Sequence, residues 1–315
     1  MNGTVPKKIE CWDSCSEIIM KKHLFSSDKY NWIKSKGNKK FISNLPNVDK
    51  INDTVSKKNI EEQAKRKIEE RNNKSDVLDQ FEHIFKKPLV NHDSTKKLCV
   101  LVPYRDRAKH LDVFRNEIPK YLDKQGIDYH ICVIEQSDFN IRFNKGMLFN
   151  IGFLENKNFD YYCLHDVDLI PMYADYGYDS SIPSNMGMLV HLSKWVEQFN
   201  YNEIESCYGG VVLIDKKTAY NINGYSIGYW GWGFEDDDFK RRCSNYGRAL
   251  ISKRDGIYKS LPHEHNYSHL TYVQNSSHFY RNVNSTTDGL NQTKYNIVSR
   301  ERIDNKITMI SATFE

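Results

Sequence analysis

The sequence predicts an α/β protein in which a mostly parallel, twisted sheet is flanked by helices and preceded by a polar, partly helical N-terminal arm. Three observations support this prediction. From residue 97 onwards, apolar runs typical of buried strands alternate with segments of helical spacing. Of the 315 residues, 39% are hydrophobic and 13% are aromatic, which is enough for a sizeable core. Residues 1–95, in contrast, are rich in Lys, Asn, Ser and Glu and contain few apolar runs.

The N-terminal arm, residues 1–95, contains one segment with a clear helical pattern. Residues 57–71 combine Glu and Lys at a spacing that places opposite charges on neighbouring turns of a helix. We interpret this segment as a solvent-exposed helix, with binding to a partner as the alternative. Residues 96–315 are predicted to form one domain.

That domain begins with strands and helices in strict alternation. The predicted elements are strand 98–107, helix 112–126, strand 129–136, helix 143–157 and strand 159–172. Such a βαβαβ order predicts parallel strands with helices on both faces of the sheet. Ligands of these sheets bind at the carboxyl ends of the strands, so we expect the functional residues there.

Charge and hydropathy exclude several classes of protein. There are 45 Lys and Arg against 41 Asp and Glu, a net charge of +4 that is too balanced for binding to nucleic-acid backbones. No apolar run approaches the roughly 20 residues of a membrane span, and residues 1–20 lack the apolar core of a signal peptide. We therefore expect no membrane span and a cytoplasmic protein. Of the seven cysteines, the last five lie mostly in apolar runs and are expected to be buried thiols. Cys11 and Cys15 form a C-x₃-C pair that could ligate a metal, but no second pair completes a zinc site.

Two pairs of metal-ligand side chains occur at i, i+2 spacing. Asp166 and Asp168 follow the third apolar run, and His263 and His265 lie about 100 residues later. In an extended segment, residues i and i+2 point to the same side. Mixed carboxylate and imidazole ligands suit Mn²⁺ or another first-row metal. Two capping aspartates and two exposed histidines are the alternative interpretation of these pairs.

The segment YWGWGFEDDDFKRRC, residues 229–243, is the most specific local signal. Two tryptophans are separated by glycines that allow sharp backbone turns, and four acidic residues follow. Acidic residues in the first turn of a helix offset the helix dipole, but one or two suffice for that. Tryptophan faces stack on sugar rings, and a neighbouring carboxylate could act as a general base toward a hydroxyl group.

The loop after the first strand contains VPYRDR, residues 102–107. Arg105 and Arg107 could bind phosphate, and Tyr104 could stack on a nucleotide base. An ordinary surface loop is the alternative. Neither a G-x-G-x-x-G nor a Walker motif is present, so an ordinary dinucleotide or ATP site is not supported.

These motifs occur in an order that resembles the β-1,4-galactosyltransferase family. The series V-P-Y-R-x-R, F-N-K-G-x-x-x-N-I-G-F, D-V-D, G-G-V, W-G-W-G-x-E-D-D-D and H-x-H extends from about residue 97 to about residue 302. The H-x-H motif and the segment GLNQTKYNIVSR look most like the xylosylprotein 4-β-galactosyltransferase branch. The resemblance implies a GT-A nucleotide-sugar-binding fold in a catalytic domain. It also implies inverting, Mn²⁺-dependent transfer of galactose from UDP-galactose to a sugar hydroxyl in β-1,4 linkage, with xylose as a possible acceptor.

The resemblance also implies roles for individual residues. The nucleotide-binding residues would be Pro103, Tyr104, Arg105, Arg107, Phe143, Lys145 and, near the ribose and donor sugar, Asp166. The metal ligands would be Asp168, His263 and His265. Trp232 would lie between donor and acceptor, Glu235 and Asp236 would hold the sugars, and Asp236 would also be the catalytic base.

Two residues depart from the family pattern. Phe234 stands where relatives carry Gly or Arg beside the acceptor, which puts xylose in question. Cys207 stands where galactose-transferring members usually carry a Tyr against the donor sugar. A smaller side chain there would leave room for an N-acetyl group, so UDP-GalNAc is the alternative donor.

Other functions remain open at this level. The chain could be an inactive module that binds nucleotide sugars or glycans, or a metal-dependent phosphodiesterase, although the latter does not explain the tryptophans. The expected partners are a UDP-sugar and an acceptor glycan or glycoside, without nucleic acid. If an N-terminal anchor had been removed, the Golgi lumen would replace the cytoplasm as the expected location.

Overall fold

A computed structural model of the chain describes residues 79–203, 205, 207–263, 268–281 and 286–315. The chain divides into two compact units, Met1–Lys87 and Pro88–Glu315. The described part of the first unit contains a one-turn helix, Glu82–Phe85. The charged helix predicted over residues 57–71 lies outside the described residues, and the predicted domain boundary at residue 95 stays a prediction.

The second unit is built from strands and helices that follow the predicted order. The described strands are β1 (Leu98–Tyr104), β2 (Tyr129–Gln136), β3 (Tyr161–His165), β4 (Leu169–Ala174), β5 (Gly187–His191), β6 (Trp195–Val196), β7 (Val211–Asp215), β8 (Ala249–Lys253), β9 (Gly256–Ser260), β10 (Tyr295–Arg302) and β11 (Ile307–Phe314). The described helices are α1 (Ala108–Lys124), α2 (Lys145–Glu155), α3 (Lys216–Asn221), α4 (Glu235–Tyr246) and α5 (His269–Arg281). Short 3₁₀ turns lie at Glu197–Phe199 and Leu290–Gln292.

Eight of these strands form the main sheet, in the order β10-β11-β2-β1-β3-β7-β5-β8. The four strands β11, β2, β1 and β3 are mutually parallel, and β8 runs parallel to β5. Strand β7 is antiparallel to both of its neighbours, and β10 is antiparallel to β11. The predicted, mostly parallel sheet with flanking helices is therefore confirmed, although it is mixed toward both edges.

Strand β1 is buried along its whole length because helices cover both faces of the sheet. Leu98, Val100 and Val102 pack in the core that contains the buried face of α1. Cys99 and Leu101 point to the opposite side, into the core that contains α2. A strand buried on both faces has no polar alternation, which explains the continuous apolar run in the sequence.

The third predicted strand, residues 159–172, was wrong as a single element. Strand β3 ends at His165, and β4 begins at Leu169 in a separate three-stranded sheet with β9 and β6. Asp166 and Asp168 lie in the turn between the two sheets rather than in an extended strand. Their side chains consequently reach different partners.

The thiols match the expectation for buried cysteines. Among the described residues Cys99, Cys132, Cys163 and Cys243 are free and buried, and Cys207 is half-buried. In the part of the chain that the structure describes, no helix has the length and apolar character needed to cross a lipid bilayer.

A buried ion-pair network fixes α4 to the segment before β10. The Arg242 guanidinium lies 2.8 Å from Asp238 Oδ2 and 2.8 Å from Asp288 Oδ1, and it also donates to the Asp288 carbonyl oxygen. The side chains of Arg242 and Asp238 are each only 3% exposed. Both charges are therefore removed from water and depend on each other.

We expect Arg242→Met to lower the free energy of unfolding by about 3 kcal/mol, because it leaves the buried Asp238 with Arg241 as its remaining cation and takes the ion-pair partner away from the partly buried Asp288. Urea unfolding followed by circular dichroism would measure this loss. The exposed Arg302 offers a matched control, and Arg302→Met should change the unfolding free energy by less than about 1 kcal/mol. Equal, small effects of the two substitutions would contradict the prediction.

Candidate active site

The candidate site lies where several strand and helix ends meet. Strand β1 ends at Tyr104 and is followed by Arg105, and β3 ends at His165 and is followed by Asp166. Helix α2 begins at Lys145, and α4 begins at Glu235. The carboxyl ends of β1 and β3 lie side by side because the two strands are parallel neighbours.

Lys145 connects these ends. Its Nζ lies 3.0 Å from Asp166 Oδ1, 3.0 Å from Asp236 Oδ2 and 4.0 Å from Glu235 Oε1. The preceding residue, Asn144, caps α2 by accepting a hydrogen bond from the Met147 amide at 2.9 Å. The cap fixes the first turn of α2, and with it the position from which Lys145 reaches the three acids.

The charges in this cluster alter one another's pKa values. Burial alone would lower the pKa of Lys145, but Asp166, Asp236 and Glu235 together raise it well above its ordinary value, so the ammonium is retained. Burial, with the negative charge of Asp236, raises the pKa of Glu235 to about 8. Burial also raises the pKa of Asp166 to about 6, against the opposing effect of Lys145. Burial and the charge of Asp236 therefore favour the protonated form of Glu235.

Asp236 is held on both of its oxygens. Lys145 contacts Oδ2, and the Tyr225 hydroxyl donates to Oδ1 at 3.1 Å. The Tyr225 ring is itself fixed, because it stacks on Phe239 at 3.9 Å and on Phe149 at 5.1 Å between ring centroids. No sequence motif marks Tyr225, which is 75 residues or more from its partners in α2.

Gly209 forms the wall next to this carboxylate. A Cβ atom at residue 209 would lie 2.5 Å from Asp236 Oδ2, closer than real contacts allow. The first residue of the G-G-V motif at the start of β7 must therefore be glycine, because any side chain there would collide with Asp236.

We expect Gly209→Ala to displace the Asp236 carboxylate and to reduce any catalytic turnover that depends on Asp236 about 10-fold or more, because a displacement of a catalytic group by about 1 Å can cost up to 100-fold in rate. Steady-state turnover would measure the loss. Gly126→Ala is a control for glycine removal away from Asp236: its φ of +66° strains an alanine locally, but nothing lies within 4 Å of the new Cβ. Unchanged turnover of Gly209→Ala would show that Asp236 does not need this position.

A second pair of ligand-type side chains lies beside the cluster. Asp168 Oδ2 and His263 Nδ1 are 3.0 Å apart. Although burial opposes the change, the His263 hydrogen bond and charge lower the pKa of Asp168. In return, the Asp168 hydrogen bond raises the pKa of His263. His265 lies outside the described residues.

The Asp168–His263 pair fits two ligands of one divalent cation. The two atoms are hydrogen-bonded at 3.0 Å, and two ligands at right angles with bonds of about 2.1 Å need a similar separation, so a cation could replace the proton between them with little movement. One carboxylate oxygen and one imidazole nitrogen are donors that Mn²⁺ accepts. Within the described ranges, no group of three or more His, Cys, Asp or Glu side chains forms a complete metal site. The third predicted ligand, His265, follows within two residues of His263.

The predicted nucleotide-binding residues divide into two groups in the structure. The Arg105 guanidinium lies 5.3 Å from the centre of the Phe143 ring and donates to the Ile141 carbonyl oxygen at 2.8 Å. Arg107 acts electrostatically on Asp168 and His263. Pro103 and Tyr104 are part of the buried end of β1. The structure thus brings Arg105 to Phe143 and Arg107 to the candidate metal ligands.

The Trp-Gly-Trp-Gly loop, residues 230–233, leads into α4 through an unusual backbone. Gly231 and Gly233 have φ angles of +75° and +104°, and Phe234 has φ +73°. The Gly233 amide donates to Glu235 Oε2 at 3.1 Å. The Trp232 ring stacks on Tyr272 of α5, with 6.3 Å between centroids. Phe234 also packs against α5, on Tyr272 and Phe279.

Helix α4 begins with the four consecutive acids, as the sequence indicated, but each has a different environment. Glu235 accepts from the loop, Asp236 binds Lys145 and Tyr225, and Asp238 pairs with Arg242. Burial and the charge of Asp236 raise the pKa of Asp237 to about 6. The four acidic residues thus make specific contacts in addition to offsetting the helix dipole.

Comparison with known proteins gives the same family in two adjoining regions. Residues 48–180 match a model described as the N-terminal region of glycosyl transferase group 7. Residues 188–265 match a model described as the N-terminal domain of galactosyltransferase.

Individual relatives are similar over much of the chain. Human beta-1,4-galactosyltransferase 7 is 35% identical over 218 residues, which are 65% of this chain and 62% of the human protein. The xylosylprotein 4-beta-galactosyltransferase of Caenorhabditis elegans is 37% identical over 153 residues, 47% of this chain and 50% of the relative. The chain thus spans less than two thirds of the length of these relatives.

A solved structure shares the fold. The catalytic domain of Drosophila beta1,4galactosyltransferase 7 in complex with xylobiose superposes with a TM-score of 0.59 at 28% identity, over 70% of this chain and 94% of that one. A mutant of the same Drosophila protein with manganese, UDP-Gal and xylobiose gives a TM-score of 0.56. The GT-A architecture expected from the sequence is confirmed. With its ordered motifs, its matched regions and this shared fold, the chain belongs to the β-1,4-galactosyltransferase family, glycosyl transferase group 7.

Proposed function

We propose that this protein is an inverting, Mn²⁺-dependent transferase that moves galactose from UDP-galactose to a hydroxyl group of xylose in β-1,4 linkage. The observation that carries the proposal is the meeting of Asp236, Glu235 and Asp166 around Lys145, beside the Asp168–His263 pair. The proposal is further supported by the Drosophila relative, whose structure contains manganese, UDP-Gal and xylobiose.

Asp236 is the proposed general base. Its carboxylate takes the proton of the acceptor hydroxyl while that oxygen forms a bond to C1 of the donor sugar. The bond between C1 and the UDP oxygen breaks on the opposite face, and the electron pair leaves with UDP. One displacement inverts the anomeric carbon, so no nucleophilic side chain is needed.

Lys145 and Tyr225 orient the base. Each donates to a different oxygen of Asp236, so the carboxylate plane is fixed before the acceptor arrives. An acceptor hydroxyl must then replace or share one of these contacts. Lys145 can release Asp236 at low cost, because Asp166 lies at the same 3.0 Å distance and keeps the ammonium paired.

Arg105, Phe143 and Arg107 are the proposed residues for the nucleotide and its diphosphate. Asp168, His263 and His265 would hold the cation, which would neutralise the negative charge that grows on the leaving diphosphate. Arg107 is close enough to Asp168 and His263 to act on them electrostatically. Its guanidinium would therefore add a second positive charge, beside that of the cation, for binding the same diphosphate.

Release of UDP by the purified protein with Mn²⁺ would test this proposal. UDP-galactose, UDP-GalNAc, UDP-glucose and UDP-GlcNAc should each be assayed with and without a simple xyloside. We expect xyloside-stimulated turnover of UDP-galactose. Mn²⁺-dependent UDP binding without turnover of any donor, across a broad acceptor panel, would instead favour an inactive binding module.

The half-buried Cys207 makes UDP-GalNAc the second donor to test. It lies two residues before Gly209, where an added Cβ would meet Asp236, and this proximity along the chain is the reason to test residue 207. If UDP-GalNAc is used, Cys207→Tyr should shift the preference toward UDP-galactose. An unchanged preference would contradict a role for Cys207 in donor selection.

A further inference from the structure

Asn275 of α5 is a buried amide beneath the Trp-Gly-Trp-Gly loop. Asn275 is only 3% exposed to solvent. The Nδ2 group, with two N–H donors of which one is shared, donates to three carbonyl oxygens of the loop, those of Trp230 at 3.2 Å, Trp232 at 3.3 Å and Gly233 at 3.0 Å. A single amide group thus binds three of the four loop carbonyls.

The Asn275 amide reduces the electrostatic repulsion between carbonyl groups of the loop. Three carbonyl dipoles that point toward one spot repel each other unless a donor lies between them. The convergence follows from positive φ angles at Gly231, Gly233 and Phe234. A positive φ at a residue other than glycine costs roughly 1–2 kcal/mol, and Phe234 has no side-chain oxygen to offset this cost. The donor that stabilises the loop comes from Asn275.

The loop in turn determines the position of groups in the candidate site. The Gly233 amide donates to Glu235 Oε2, and the carbonyl oxygens of Trp232 and of the next residue, Gly233, both accept from Asn275. On the far side, the Phe143 carbonyl accepts from the Gly231 amide at 2.7 Å. Loop geometry is therefore transmitted to Trp232 and Glu235, whereas the bond to the main chain at Phe143 anchors the loop from its other side.

We propose that Asn275 is the positioning residue that sets the Trp-Gly-Trp-Gly loop, and through it Trp232, in the geometry required for acceptor binding. The inference rests on the proposed transferase function for its kinetic consequences, but not for its structural ones. Asn275 touches neither donor nor acceptor in this account, and it acts only through the loop.

Asn275→Asp is the sharpest test because it keeps the size of the side chain and replaces its two N–H donors by an oxygen that faces three carbonyls. We expect the KM for the xyloside to rise about 10-fold or more. The Kd for Mn²⁺ and UDP, measured by calorimetry, should stay within about twofold of wild type. Gln274→Ala is the matched control on the same helix, since Gln274 bonds only to the exposed Arg142 in the described contacts, and it should change neither constant.

The fluorescence of Trp232 gives a readout that does not depend on turnover. Subtracting the emission of the corresponding Trp232→Phe variant from that of each protein gives the signal of Trp232 without the other four tryptophans. Acrylamide should quench the Trp232 signal more strongly in Asn275→Asp than in wild type. This result is expected even if the wild-type protein transfers no sugar, so a failed transferase proposal and a failed positioning proposal are distinguishable.

Unchanged quenching, with an unchanged KM, would overturn the inference. A parallel loss of UDP binding and acceptor binding would also overturn it, because it would indicate general unfolding rather than a displaced loop. If Asn275→Asp does not fold, Asn275→Ala removes the amide without adding a charge and carries the same expectations.

Discussion

Asp236→Asn is expected to abolish sugar transfer, with a loss of about 1,000-fold, while UDP binding is retained. General-base catalysis contributes about 100- to 10,000-fold in enzymes. The amide has nearly the same shape as the carboxylate and can still accept from Tyr225. Its NH₂ group replaces the oxygen that Lys145 contacts, but Lys145 keeps its pair with Asp166, so the substitution removes the base and leaves the ammonium partnered. Turnover in the UDP-release assay and Kd for UDP by calorimetry would measure the two effects separately.

The neighbouring acid provides a matched control. Asp237 lies in the same first turn of α4 but makes no contact with Lys145 in the described ion pairs. Asp237→Asn should therefore keep most of the activity. Comparable losses in the two variants would mean that the acidic turn acts through its overall charge, and Asp236 would lose its assignment as the base.

Asp168→Asn is expected to weaken Mn²⁺-dependent UDP binding by about 100-fold or more. The substitution replaces an ionised oxygen ligand with a neutral amide, and carboxylates supply much of the affinity for hard divalent cations. It also removes the partner that raises the pKa of His263. Calorimetric titration would give the Kd for UDP with and without Mn²⁺. In Asp168→Asn we expect the two Kd values to become nearly equal.

Asp112→Asn serves as the control for this substitution, since the Asp112 side chain is exposed on α1 and, among the described residues, forms a surface ion pair with Arg115. It should leave Mn²⁺-dependent binding unchanged. A normal Mn²⁺ response of Asp168→Asn would remove the Asp168–His263 pair from the proposed metal site and leave the cation to other ligands.

The sequence predicted the first half of the sheet well because each of its elements has a complete local pattern. Strands β1 and β2 are continuous apolar runs, and α1 and α2 lie close to their predicted ranges. The break after His165 was missed, because residues 159–172 are apolar on both sides of the turn. Only the pairing of β4 with β9, more than 80 residues away, shows that the chain changes sheets there.

The candidate site was predictable as a set of residues but not as a set of contacts. Ordered motifs indicated Lys145, Asp166 and Asp236, yet no local pattern places an ammonium between carboxylates that are 21 and 91 residues away in sequence. Tyr225 and Asn275 carried no signal at all. Their roles depend on tertiary contacts, a stacked ring in one case and three converging carbonyls in the other.

The position of β11 has a consequence for how this domain folds. Strand β11 lies inside the sheet, between β10 and β2, and its register joins Ile307 to Ile131 across more than 170 residues of chain. During synthesis, one edge of β2 therefore stays unpaired until residues 307–314 have left the ribosome. Long-range pairing of this kind slows folding, and an open strand edge invites association with other chains. We expect the folding yield of this domain to depend more on chaperones and dilution than on its thermodynamic stability.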